Sequence, residues 1–258
     1  MRNNVLISCA LINIGIQWGF FVISAVLKTE LLFDIVGSFT FSLAGTAKLP
    51  LGGAATRYGS RSRPGWSSSG LSGWASTCSR ASFAAGKIGI KKACRHHGDG
   101  NSFLWWTLQA ARVVVTLLPT LLLNTSRRSV PLGIRDFAGW CLWAVGFGFE
   151  FLADHQMATF HSDPANEGKF ISSGLWSVSR HPNYFGEILL WLGLYLSASS
   201  VLQRTEFLCV LCPIVDLLLL TRVTGVPVLE REGFRRWGND PAYHEYLRST
   251  ALLVPYLW

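Results

Sequence analysis

Long apolar blocks separated by polar breaks dominate this chain. Val5 to Leu27 contains no charged residue. A helix of that length, at a rise of about 1.5 Å per residue, crosses a hydrocarbon core of roughly 30 Å. The block starts almost at Met1, where a signal peptide would stand. Its length and the single Arg2 instead predict a retained helix, because a cleaved signal core is only ~7–15 residues long. A shorter block, Ile35 to Ala44, comes next. Phe103 to Leu123 follows, interrupted by Arg112 and Pro119, and then Phe137 to Leu152, Phe185 to Ser200 and Phe207 to Leu220. These unbroken runs predict an all-α fold, a polytopic transmembrane helical bundle with about 5–7 membrane helices.

One stretch departs from this pattern. From about Thr46 to Gly100 the chain turns to Gly, Ser, Arg and Ala, as in YGSRSRPGWSSSGLSGWASTCSRASF. It has no period of 3.6 or 2 residues and no span of adequate length. Tryptophans and cysteines scattered through such text are foreign to a flexible linker. Its composition is that of an out-of-frame or mis-spliced translation. The organisation expected is therefore N-terminal membrane helices over residues 1–45, an irregular segment over 46–100, and a C-terminal membrane domain over 101–258. Cys94, His96, His97 and Asp99 have metal-binding side chains, but neither a zinc spacing nor a second cluster accompanies them, so no metal is expected.

Composition agrees with the membrane reading. Half of the residues are hydrophobic and 15% are charged, against roughly 25% in a soluble domain. The net charge of +8 is spread between apolar spans, at Arg127 and Arg128 and along the tail at Arg231, Arg235, Arg236 and Arg248. That distribution fits basic loops at the cytosolic face and argues against a nucleic-acid partner. The six cysteines supply no disulfide framework, and the pair Cys209 and Cys212 reads as a packed helix face. Glu150, Asp154, Glu187 and Asp216 lie in or beside apolar blocks. A carboxylate at membrane depth costs several kcal/mol unless it faces protein or water. Each is thus a site candidate, while Asp154 and Glu187 also fit helix ends at the interface.

The densest chemistry lies in Ser179-Arg180-His181-Pro182-Asn183-Tyr184-Phe185-Gly186-Glu187. Pro182 disfavours helix for His181 and predicts a helix start at or just after itself. Such a start offers unpaired N–H groups and the positive end of a dipole to a phosphate, and Arg180 and His181 stand beside it. Asn183 and Glu187, four residues apart, share one helix face. The same residues would also serve an interfacial helix start with Tyr184 as aromatic anchor and Arg180 reaching to the headgroups.

SRHPNYFGEILLWLG resembles the signature of the DUF1295 family, membrane proteins grouped with the steroid 5α-reductase C-terminal domain. FGFEFLADHQMATF, the tail from Glu230 to Trp258 and the N-terminal span with Asp34 and Gly37 look like further parts of that family. The resemblance implies an NADPH-dependent reductase of a carbon–carbon double bond in a lipid or sterol-like substrate. It implies a cofactor pocket built from Asp154, Arg180, His181, Asn183, Tyr184 and Glu187, closed over by Tyr243, Glu245, Tyr246 and Arg248. Tyr184 and Glu187 are the expected catalytic residues, with Tyr184 as proton donor, and Arg222 or Arg231 would meet a 2′-phosphate. Tyr243, Tyr246 and Tyr256 also fit an interfacial aromatic belt.

Two other readings stand beside the reductase. Isoprenylcysteine carboxyl methyltransferases, which use S-adenosylmethionine, are similar in the Arg-His-Pro-x-Tyr-x-Gly core. Asn183, the Phe185-Gly186-Glu187 continuation and Asp154 with Gln156 fit the reductases better. A non-catalytic relative is the third reading, since the family's helix and its Lys-Asp-x-Arg-Phe-like stretch are replaced here by residues 46–100. The expected location is a multi-pass membrane protein, of the endoplasmic reticulum if the source is eukaryotic.

Overall fold

A computed structural model describes residues 2–28, 32, 33, 36, 37, 40, 100–126, 128, 130–223 and 225–257. The irregular segment lies outside the described residues except for Gly100. So do Asp34, Cys94, His96, His97 and Asp99, along with most of the block from Ile35 to Ala44.

The described residues are mostly helical, with no strand among them. Helix α1 spans Arg2–Leu27 and α2 spans Gly100–Thr125. Pro119 sits inside α2 without ending it. Helix α3 (Ile134–Ser162) outruns its apolar block by a polar stretch of ten residues, and α4 (Pro182–Ala198) starts at the proline, as expected. A 3₁₀ turn (Arg204–Val210) leads into α5 (Leu211–Leu218). A π-helical turn (Leu219–Val223) then separates α5 from α6 (Val226–Trp237), and α7 (Pro241–Ser249) follows. Among the described residues, three helical stretches are long and apolar enough to cross a membrane: Leu6–Leu27, Ser102–Thr125 and Arg204–Trp237. The fold is a polytopic, all-α membrane bundle.

Packing divides the chain into two compact units, Met1–Phe137 with Tyr195–Cys212, and Ala138–Leu194 with Pro213–Trp258. In the first unit α1 pairs with α2 through polar side chains. Lipid is as apolar as leucine, so hydrogen bonds and close packing must hold membrane helices together. Asn13 Nδ2 donates to the Ala110 carbonyl over 2.9 Å. Gln17, fully buried, accepts from Gln109 Nε2 at 3.2 Å and donates to Thr40 Oγ1 at 3.1 Å. Asp136 is also fully buried, where it accepts from the Gly133 N–H at 3.0 Å and from Ser197 Oγ at 3.3 Å. Cys209 and Cys212 are free thiols in an apolar cluster with Leu122 and Leu202, which is the packed face the sequence suggested.

In the second unit α3 and α4 touch backbone to backbone. A Cβ on Gly186 would lie 2.6 Å from both the Gly146 carbonyl oxygen and the Glu150 nitrogen, and one on Gly146 would lie 2.6 Å from the Gly186 oxygen. Seven residues further along α4, Gly193 meets Gly139 and Trp143 in the same way. Small residues at these positions let the two helices approach as closely as they do. That approach brings the polar end of α3 level with the first turns of α4.

Candidate functional site

Asp154 lies two residues beyond the apolar block of α3. The helix runs for 29 residues, about 43 Å at ~1.5 Å per residue, and its last third, from Ala153 to Ser162, is more polar than the rest. Asn183, in the first turn of α4, donates from Nδ2 to Asp154 Oδ1 over 3.1 Å. Glu187, one turn further on, accepts from Trp191 Nε1 at 3.5 Å and adds its negative charge near Asp154. Burial pushes the Asp154 carboxyl up to about 7. The Asn183 hydrogen bond partly opposes that rise, and Glu187 reinforces it. The residue therefore exchanges a proton near neutrality, an uncommon property that concentrates at functional sites.

The chain entering α4 is fixed from the C-terminus. Ser179 forms an isolated parallel bridge with Ala251, and the Arg180 N–H donates to the Ala251 carbonyl at 2.8 Å. Ser179 Oγ donates to the Leu253 carbonyl at 2.8 Å and accepts from the His181 N–H at 3.2 Å. The helix start is also less open to an anion than the sequence led one to expect. Pro182 has no N–H, the Tyr184 N–H is taken by Asn183 Oδ1 at 3.0 Å, and the Phe185 N–H by the His181 carbonyl at 3.2 Å.

The side chains of Arg180 and His181 meet Glu230 of α6. Arg180 Nη1 donates to Glu230 Oε2 at 2.7 Å, and His181 Nε2 lies 2.9 Å from Glu230 Oε1. Two atoms of this pair remain buried with no hydrogen-bond partner among the described residues, Arg180 Nε and His181 Nδ1. The His181 ring stacks on Tyr184, with centroids 5.5 Å apart and planes 11° apart. Tyr184 in turn lies against Gly225, where a Cβ would come within 2.9 Å of its ring.

The loop from α3 to α4 is tied down on the same side. Trp176 Nε1 donates to the Ala153 carbonyl at 3.0 Å, and the Leu175 N–H donates to Gln156 Oε1 at 2.9 Å. Tyr246 Oη donates to the Trp176 carbonyl at 2.8 Å, and Tyr243 is buried among Phe170, Trp237 and Tyr246. Burial raises both phenols above their ordinary range, so each stays a hydroxyl. The structure thus gathers Asp154, Asn183, Glu187, Arg180, His181 and Tyr184, with Tyr243 and Tyr246 in the packing behind. Arg248, Arg222 and Arg231 are exposed, as are Glu245 and Tyr256. Glu230 and Trp176 went unnoticed as functional residues in the sequence because their partners are far along the chain. Only the tail's Glu-Arg-Glu hinted at Glu230.

A family model described as a protein of unknown function, DUF1295, matches residues 91–250. A protein of Ustilaginoidea virens named as a probable O-methyltransferase is 30% identical over 112 residues, which cover 38% of this chain and 39% of that relative. The chain thus matches well under half of that relative's length. No solved structure matches the chain.

Proposed function

The chain belongs to the DUF1295 family, and from that footing we propose that it is a membrane-bound, NADPH-dependent reductase of a carbon–carbon double bond in a lipid or sterol-like substrate. The observation that carries this reading is the meeting of Asp154, Asn183 and Glu187 on the α3–α4 crossing. These are the residues in which the sequence parts from the similar methyltransferases. Two orphaned buried groups, Arg180 Nε and His181 Nδ1, fit a bound polar molecule, since leaving such groups unmade costs about 1–3 kcal/mol each.

On this reading Arg180, His181 and Asn183 hold the dinucleotide, and Asp154 tunes the charge beside it. Bound NADPH would supply a hydride to the β-carbon of a conjugated double bond. Tyr184, stacked on His181 and packed against Gly225, is the proton donor. Its hydroxyl meets the carbonyl oxygen on which negative charge develops and gives up the proton that, with the hydride, completes the reduction. Glu187, whose charge acts on Asp154, is the second catalytic residue on this reading and accepts from a polar group of the bound cofactor or substrate.

Methyl transfer from S-adenosylmethionine is the second reading. The relative named as a probable O-methyltransferase favours it. So does the presence of three carboxylates, Asp154, Glu187 and Glu230, which suit a sulfonium cation better than a chain of phosphates. Incubation of detergent-purified protein with deuterium-labelled NADPH, methyl-labelled S-adenosylmethionine and a panel of enone and hydroxyl-bearing lipids tests the proposal. Deuterium at the β-carbon of a product supports the reductase. Methyl label from S-adenosylmethionine in a lipid hydroxyl, with no deuterium transfer, replaces it with the second reading.

A further inference from the structure

We infer that Glu230 is the positioning residue of this site: it fixes the His181 tautomer and the Arg180 guanidinium together, so that one edge of each faces a bound cofactor. The inference rests on the cofactor-site reading above and adds a residue that the reading did not contain. Glu230 reaches the motif from α6, a helix 49 residues further along the chain from His181. The π-helical turn at Leu219–Val223 and the start of α6 at Val226 redirect the chain just before it. Each carboxylate oxygen takes one partner, Oε2 the Arg180 Nη1 and Oε1 the His181 Nε2.

A carboxylate accepts and never donates, so His181 must carry its proton on Nε2 at this contact. In the neutral ring Nδ1 is then an acceptor, and this atom is buried and without a partner among the described residues. The arrangement is that of an orienting carboxylate behind a working imidazole, which sets which nitrogen is offered to the ligand. Nη1 of Arg180 is held in the same way, which turns the fork and leaves Nε as the remaining buried donor. The effect reaches one residue further, because the His181 ring stacks on Tyr184. Glu230 therefore acts on the site through three side chains, Arg180, His181 and Tyr184.

The effect of a carboxylate beside an anionic cofactor gives the inference a sharp test. If Glu230 acted only through its charge, its removal would free Arg180 and tighten NADPH. A positioning role predicts weaker binding. The experiment compares wild type, Glu230→Gln and Glu230→Ala in detergent, using NADPH titration and ¹⁵N NMR of labelled histidine, with the His181 signal assigned by its loss in His181→Gln. Loss of an oriented, charge-assisted pair is expected to weaken NADPH about 10-fold in Glu230→Ala and about 3-fold in Glu230→Gln, which keeps an acceptor. His181 is expected as the Nε2–H tautomer in wild type and Glu230→Gln, and as a mixture of tautomers in Glu230→Ala. Unchanged or tighter NADPH binding together with an unchanged tautomer overturns the inference. If the wild type ignores NADPH but the tautomer still depends on Glu230, the positioning role stands and the reductase reading falls. If Glu230→Ala does not fold, the Glu230→Gln titration alone decides, and tighter binding counts against the inference.

Discussion

Asn183 holds Asp154 across the α3–α4 crossing, its Nδ2 lying 3.1 Å from Asp154 Oδ1. Among the described residues this neutral amide is the hydrogen-bond donor to the carboxyl; it favours the ionised form, but burial outweighs it and raises Asp154 to about 7. The state of this one proton sets the charge of the site at the pH where a cell works.

That proton gives opposite signs for the two candidate cofactors. As pH rises through about 7, Asp154 loses its proton and the site gains a negative charge. NADPH binding should therefore weaken over that range, whereas S-adenosylmethionine, a cation at sulfur, would tighten. Asp154→Asn should abolish the dependence in either case, as read from dissociation constants at pH 6 to 8.

The same shift appears in stability. The folded value lies above the ordinary carboxylate value, so the fold favours the protonated form. Asp154 thus contributes stability that is complete below about pH 4 and is lost as pH rises through about 7. Melting temperature across this window should fall less in Asp154→Asn than in wild type.

Tyr184→Phe removes the proposed hydrogen-bond donor and keeps the ring that stacks on His181. Turnover should fall about 100-fold or more, the range expected for a lost acid group, with NADPH affinity within about twofold. An equal loss in affinity and turnover would make Tyr184 a binding residue instead.

Gly186→Ala tests the helix crossing. Its Cβ would press on the Gly146 oxygen and the Glu150 nitrogen, both backbone atoms with no room to yield. A loss of about 1–3 kcal/mol is expected from such overpacking. Gly148→Ala is the control, because nothing lies within 4 Å of its added methyl and alanine favours helix. Thermal melts of the two variants should move in opposite directions or differ by several degrees.

Much of this arrangement was legible in the residues. Pro182 marked the start of α4, and the spacing of Asn183 and Glu187 placed both on one helix face, which the structure brings to Asp154. The extent of α3 was not legible from hydropathy, because Ala153 to Ser162 is polar yet helical. The partners of Arg180 and His181 were missed for another reason. A motif shows which groups are charged, but the Glu230 contact forms across about fifty residues and through a π-helical turn with no sequence signal strong enough to read. The phosphate-cradle expectation was too generous, since Asn183 turns its own side chain onto the first-turn N–H of Tyr184.

The most direct test of the account is NADPH and S-adenosylmethionine titration of detergent-purified wild type, Arg180→Ala and His181→Ala, with folding checked by melting. Wild type is expected to bind NADPH and not S-adenosylmethionine, and each variant to lose about 10-fold or more in affinity while melting close to wild type. Binding of S-adenosylmethionine alone, or NADPH affinity unchanged in both variants, would contradict it.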